Sequence, residues 1–208
     1  MILDTVLQFP QKLRYKLFDA PKGFGCRVPT AILEQQFKDG FWRFLDSSDE
    51  MANYMVTVGY VQHLAKIANI EPRLLDIGCG HGNLAELLSG YSVKNYLGLD
   101  VSAEAVRQAT ARKIRNSTFQ VADVEEWIPK EKFDFILSTG SVCYFKDPAA
   151  FLRRYSTALN ERGAFIISLW RYGHNSAIWR NIEEHFEVID STMVTNHKGQ
   201  MWDVKVLR

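Results

Sequence analysis

No run in this sequence approaches the roughly 18 apolar residues that a membrane-spanning helix needs. Cysteine is scarce: Cys26, Cys79 and Cys143 are odd in number, widely spaced and free of any Cys-x-x-Cys pair. A disulfide framework is thereby excluded, and a reducing, cytoplasmic setting is expected. Charge of one sign is missing as well. Twenty-five basic and 24 acidic side chains leave a formal net charge of +1, so nothing general attracts the chain to nucleic acid or to an anionic membrane. His63, His81, His174, His185 and His197 fall into no ligand spacing, and no metal is expected. Near the start, Asp4 and Pro10 precede the basic residues, which is the wrong order for a signal peptide. Internal repeats and low-complexity tracts are absent.

What remains is a chain of 208 residues, nearly half hydrophobic, which suits one soluble domain with one substantial core. Its two parts differ in pattern. Up to about residue 70 it is helical and aromatic: residues 31–46 and 49–69 carry apolar side chains at three- and four-residue spacing, and Gly40 interrupts them. From Arg73 on, short apolar runs alternate with helical segments. Strands are predicted at 73–78, 95–100, 117–123, 133–139 and 163–170. Helices are predicted near 82–90, 102–115 and 148–160, and an irregular link around 125–132. Such alternation builds parallel strands with crossover helices. Two last strand-like runs flank a Gly199-containing turn and read as a hairpin. The expected fold is therefore α/β: a Rossmann-like, doubly wound, mostly parallel seven-stranded sheet with an antiparallel C-terminal strand. Residues 1–70 form a helical cap over the carboxyl edge of the sheet, and residues 71–208 form the ligand-binding core.

The segment Leu74–Leu88 raises the functional question. Gly78, Gly80 and Gly82 stand between a strand and a helix, where backbone comes close to a ligand. The dinucleotide fingerprint G-x-G-x-x-G/A requires a small residue where Asn83 stands. Asp76 lies two residues before the first glycine. A carboxylate there repels a pyrophosphate and suits an ammonium or sulfonium group. No Gly-Lys-Ser/Thr follows, so the turn is not a P-loop. Asp100 ends the second strand, where an acidic side chain accepts hydrogen bonds from ribose hydroxyls. Asp123 ends the third, where it can accept from an exocyclic amine, although an Asp after a strand also commonly forms a turn.

These segments, "LLDIGCGHG", "YLGLDVS", "VADVEEW" and "FDFILSTGSVCYF", resemble the successive motifs of class I S-adenosylmethionine-dependent methyltransferases over roughly residues 50–170. The resemblance implies S-adenosyl-L-methionine as cofactor and S-adenosyl-L-homocysteine as product. Asp100 would then hold the ribose and Asp123 the adenine, with Val124 as its backbone partner. It implies further cofactor contacts from Tyr54, Asp76, Gly78, Cys79, Gly80, Gly82, Val101, Ser138 and Thr139. Tyr54 corresponds to the tyrosine of an Arg-Tyr segment in similar enzymes, with Asn53 in place of the arginine. The chain also resembles small bacterial methyltransferases with an Asn-Glu-x-Leu-Tyr-Tyr-like segment before an Asp-Pro. Here Gly140 replaces the glutamate and Cys143 the first tyrosine, while Tyr144 and Asp147-Pro148 remain.

Ser138-Thr139-Gly140-Ser141 is no Asn/Asp-Pro-Pro-aromatic motif, so adenine N6 and glutamine amides are not expected acceptors. Tyr144 and His174 are the candidate acid–base residues, and Trp42, Trp170 and Arg171 the candidate substrate contacts; residues 169–179, after the fifth strand, are expected to form a loop at the ligand edge. His81 is expected to turn its ring toward the pocket mouth. The expected function is methyl transfer to an oxygen or nitrogen of a small molecule, a sugar or secondary metabolite. Neither a nucleic-acid nor a membrane partner is expected, and the sequence does not fix the oligomeric state. The rivals are a catalytically silent S-adenosylmethionine-binding accessory protein and an NAD-dependent oxidoreductase.

Overall fold

A computed structural model describes residues 27–208 together with Leu17. The readings made at Asp4, Pro10 and Cys26 lie outside the described residues. The first helix, α1 (Thr30–Lys38), ends at Asp39, and Gly40 follows in the left-handed region at φ 71°. Phe41–Asp46 is a 3-10 helix rather than a continuation of an α-helix. The turn at Gly40 and the extended Ser47 (ψ 157°) leave only six residues between them, too few for a stable α-helical run. Next comes α2 (Ser48–Ala68), with Asp49 and Glu50 in its first turn and Asn69 left-handed at its end.

Arg73 begins the sheet, as the change of pattern predicts. The strands and helices then alternate: β1 (Arg73–Ile77), α3 (Asn83–Leu88), β2 (Asn95–Asp100), α4 (Ala103–Ala111), β3 (Ser117–Val121), β4 (Phe133–Thr139), α5 (Pro148–Ser156) and β5 (Leu159–Trp170). After β5 come α6 (Asn175–Glu183), β6 (Val188–Thr195) and β7 (Met201–Leu207). The sheet order is β3-β2-β1-β4-β5-β7-β6. The first five strands run parallel. The last strand, β7, lies between β5 and β6, antiparallel to both. Hence the hairpin forms as expected, and its second strand is the inner one.

Helix α6 corrects the reading of residues 169–179 as a loop. Ile178, Trp179 and Ile182 are buried, and this spacing packs one helical face against Phe165 and Phe186 in the same cluster. The core occupies both faces of the sheet. Leu74 packs with Val58, Val61, Leu84 and Leu88 on the α2–α3 side. Its neighbour Leu75 packs with Phe151, Leu152, Tyr155 and Ile182 on the α5–α6 side. Successive residues of a parallel strand thus enter opposite hydrophobic layers, which is why these strands read as unbroken apolar runs.

Candidate active site

The strand order reverses between β1 and β4, so the crossovers leave β1 and β4 in opposite directions. That reversal opens a crevice at the carboxyl ends. A cavity of about 340 Å³ occupies it, roofed by α1, the 3-10 helix and the start of α2. The roof is tied down at several points. Glu34 of α1 accepts from the Ser102 hydroxyl at 2.7 Å and the Glu104 N–H at 3.1 Å, and these bonds hold its carboxyl below the usual range. Asp46 accepts from His81 and from Arg112, each at 3.0 Å. Asn83 donates to the carbonyl of Leu45 at 2.9 Å. Phe37 stacks on Trp42 at 5.9 Å, and Trp42 meets Tyr144 edge to face at 6.4 Å.

The glycine turn forms the floor. Gly78, Gly80 and Gly82 all adopt positive φ, at 72°, 53° and 89°. A Cβ at Gly78 would overlap the Ser141 side chain, whereas a Cβ at Gly80 would reach only Phe37, at 3.8 Å. The Gly80 N–H donates to Asp100 Oδ2 and the Ser102 N–H to Asp100 Oδ1, each at 2.9 Å. Asp100 is thereby fixed at the cavity wall with both oxygens retaining acceptor capacity. Burial pushes its pKa up to about 6 against those backbone donors. Beneath the turn, Asp76 accepts from the Tyr96 hydroxyl, while its other oxygen has no partner among the described residues. Burial pushes Asp76 up to about 7.

At the far end, Asp123 lines the cavity while its Oδ1 accepts from the Glu125 N–H at 2.9 Å. The turn reading and the ligand reading of this residue are therefore compatible. The carbonyl of Val124 is held by the Tyr155 hydroxyl at 2.9 Å and by Arg154 at 2.5 Å.

The cavity brings together Trp42, Tyr54, Gly78, Gly80, Asp100, Val101, Asp123, Val124, Thr139, Tyr144 and Trp170 from the sequence-derived set. Six others do not line it. Asp76 lies buried under the turn. Cys79 is buried, with Sγ directed to the Gly80 carbonyl at 3.6 Å. Gly82 opens α3, packed on Ala109. Ser138 is paired with Ser141. Arg171 lies in the adjoining groove, its Nε donating to both oxygens of Asp203 at 2.9 and 2.8 Å. His174 occupies the position before α6 and lines neither the cavity nor that groove. His81 does not face the mouth either: its buried ring lies against Phe37 and Asp46.

Several wall residues escaped the sequence reading. Glu50, Asn175, Gln200 and Trp202 reach the cavity from α2, α6 and the β6–β7 hairpin. A glutamate in the first turn of a helix reads as a surface charge favoured by the helix dipole. Yet Glu50 is only 7% exposed. Only the return of β7 against β5, with Asn196 and Lys198 bound to Asp49, encloses it. Among the described residues, no group of three His, Cys, Asp or Glu is arranged to hold a metal ion. None of their helices is long and apolar enough to cross a membrane.

A glycine turn, a strand-end carboxylate bound to that turn and a second carboxylate across the same cavity define a nucleoside-binding α/β fold. The chain belongs to the methyltransferase-domain family, whose pattern it matches over residues 54–192. It is similar to trans-aconitate 2-methyltransferase of Afipia carboxidovorans, with 32% identity over 108 residues, 51% of this chain and 42% of that protein. It is similar to ubiquinone biosynthesis O-methyltransferase of Bradyrhizobium diazoefficiens, with 32% identity over 99 residues, 46% of this chain and 39% of that protein. The chain thus matches less than half the length of these curated relatives. Its fold is similar to that of the N-methyltransferase NodS from Bradyrhizobium japonicum, solved with S-adenosyl-L-homocysteine. The TM-score there is 0.69 at 15% identity, covering 84% of this chain and 97% of that one.

Proposed function

We propose that the chain is an S-adenosylmethionine-dependent methyltransferase acting on an oxygen or nitrogen of a small molecule. The observation that carries this reading is the Gly80–Asp100 bond. It couples a turn open to close approach with a carboxylate suited to a ribose diol, in a cavity whose far wall carries Asp123 and the Val124 backbone. The residues fit the cofactor's chemistry in two further ways. A ribose without phosphate meets carboxylates and, among the described residues, no cation at the turn. Asp76, whose Oδ1 has no partner among those residues, adds a buried carboxyl beneath the turn that suits a cationic group above it.

When bound, the cofactor supplies an activated methyl group on a sulfonium. The protein's task is then alignment and exclusion of water rather than bond activation. Gly78 and Gly80 let the backbone approach, and Asp100 and Asp123 fix the two ends of the nucleoside. Phe37, Trp42, Leu99, Tyr144 and Trp202 supply the apolar wall around the reacting centre. Thr139 lies at the end of β4 with a buried hydroxyl lacking any partner among the described residues, and it orients the acceptor.

Calorimetric titration with S-adenosylmethionine, S-adenosylhomocysteine and NAD side by side tests the reading. Binding of the two sulfur nucleosides and not NAD is expected. Binding of NAD alone would overturn it.

A further inference from the structure

Gly140, at the end of β4, lines the cavity, and a Cβ built there would meet nothing within 4 Å. No carboxyl reaches the acceptor side from this strand end, since Ser138–Ser141 carries only hydroxyls and glycine. One arrives from another element. The Gly140 N–H donates to the Ser168 carbonyl at 2.8 Å, and the Ser168 hydroxyl donates to Asn53 Oδ1 at 2.5 Å. Asn53 lies one turn along α2 from Glu50 and hydrogen-bonds its carboxyl. A continuous polar chain thus runs from the end of β4 through the middle of β5 to Glu50.

Glu50 is buried at the cavity wall and has no ion pair among the described residues. Burial, together with neighbouring Asp49, pushes its pKa up to about 7 against the Asn53 bond. The other charges of the wall are accounted for. Asp100 and Asp123 sit at the nucleoside ends, and Glu125 pairs at 2.6 Å with Arg27, the one guanidinium of the wall among the described residues. Glu50 is the surplus carboxylate. It shares the cavity with Trp170 and Trp202, which oppose each other across β5 and β7. Indole faces attract an ammonium group, and a carboxylate beside them adds to that attraction. An acceptor bearing a carboxylate or phosphate would instead meet charge of its own sign.

We propose that the acceptor is an amine, held as its ammonium against Glu50 and the Trp170–Trp202 pair, and that Glu50 receives its proton. The inference rests on the methyltransferase reading above. Passing the proton from the ammonium to the Glu50 carboxylate leaves two neutral groups, which the low-dielectric wall favours over the ion pair. The freed nitrogen lone pair forms the N–CH3 bond as the S–CH3 bond of the sulfonium donor breaks, its electron pair remaining on sulfur. The products are a thioether and a methylated ammonium, and Glu50 returns its proton to solvent.

The test uses the full chain saturated with S-adenosylhomocysteine. Three probes of matched shape, 2-phenylethylamine, 2-phenylethanol and phenylacetate, are titrated against it by calorimetry and tryptophan fluorescence. The amine should bind about tenfold or more tightly than phenylacetate, the fold-change expected from one charge-assisted contact, with the alcohol between them. Glu50→Gln should bring the three within about threefold of one another and leave S-adenosylhomocysteine affinity unchanged. Phenylacetate binding as well as the amine, none of the probes binding, or Glu50→Gln preserving the ranking would each overturn the proposal. Loss of S-adenosylhomocysteine affinity in Glu50→Gln would assign Glu50 to the cofactor and also overturn it. The wild-type ranking decides alone if that variant fails to fold. Failure of the wild-type protein to bind S-adenosylhomocysteine would overturn the methyltransferase reading, and this proposal with it.

Discussion

Gly80 donates its backbone N–H to Asp100 Oδ2 at 2.9 Å, across twenty residues of sequence. The bond joins the turn after β1 to the end of β2, and Asp100 Oδ1 extends it to the start of α4 through Ser102. One carboxylate therefore holds three pieces of backbone in register while presenting its remaining lone pairs to the cavity.

Replacing it should act on ligand affinity first. Asp100→Ala removes two charge-assisted acceptors facing the cavity, each worth roughly 1.5–3 kcal/mol to a ribose diol bound there. The expected outcome is S-adenosylmethionine affinity weakened at least tenfold in calorimetry, an order set by about 1.4 kcal/mol per decade. A folded variant with unchanged affinity would remove Asp100 from the site.

The glycines of the cavity wall should separate by space rather than by dihedral angle. Gly78 and Gly140 have nearly equal φ, 72° and 76°, so Ala at either pays a similar left-handed strain of roughly 1–2 kcal/mol. At Gly78 the new Cβ also overlaps Ser141, whose hydroxyl donates to the Ile77 carbonyl at 2.5 Å. At Gly140 it meets nothing. Gly78→Ala should accordingly lose clearly more stability in denaturant titration than Gly140→Ala. Equal losses would mean that dihedral strain alone decides.

Ligand-free stability should fall as pH rises from about 5 to 8. Burial pushes Asp76 up to about 7, Glu50 to about 7 and Asp100 to about 6, against ordinary values of 3.8 and 4.5. The folded chain keeps protons here that the unfolded chain releases. The resulting stability is full below the ordinary values and is lost as pH climbs through 6 to 7. Glu34 and Glu104 are shifted downward, so they act below this window and do not oppose it. Each raised group contributes a slope of at most about 1.4 kcal/mol per pH unit, and Asp76→Asn should flatten the curve by its share. Stability that rose between pH 5 and 8 would contradict the buried carboxyls.

That Gly78, Asp100 and Asp123 line one cavity was legible because all three sit at strand ends. The apolar runs before Gly78, Asp100 and Asp123 mark parallel strands, and residues just past such strands share one edge of the sheet. The acceptor half was not. Glu50 becomes a cavity residue only through α2 packing against β5 and β7, contacts well over a hundred residues apart in sequence. His174 and Arg171, assigned to a loop, were carried away from the cavity when residues 175–183 formed a helix. The spacing of Ile178, Trp179 and Ile182 held that signal, but three large apolar residues after a Gly173 turn are few for a periodicity argument.

Ser168 offers a test of how the acceptor side is held. It is fully buried, Asn53 is 2% exposed, and their hydrogen bond is the link between β5 and the turn of α2 that carries Glu50. Ser168→Ala leaves the Asn53 amide oxygen buried without its donor, at a cost of about 1–3 kcal/mol. Asn53→Ala removes the same bond from the other side, so the two losses should not add. A double-mutant cycle in denaturant titration should give a coupling energy of at least about 0.5 kcal/mol. Because Asn53 also bonds Glu50, Ser168→Ala should narrow the preference for amine over carboxylate probes. Affinity for S-adenosylhomocysteine, which we propose is held by Asp100 and Asp123, should stay the same. Additive losses, or a preference that does not change, would mean that Ser168 supports the fold and leaves Glu50 to be positioned by other contacts.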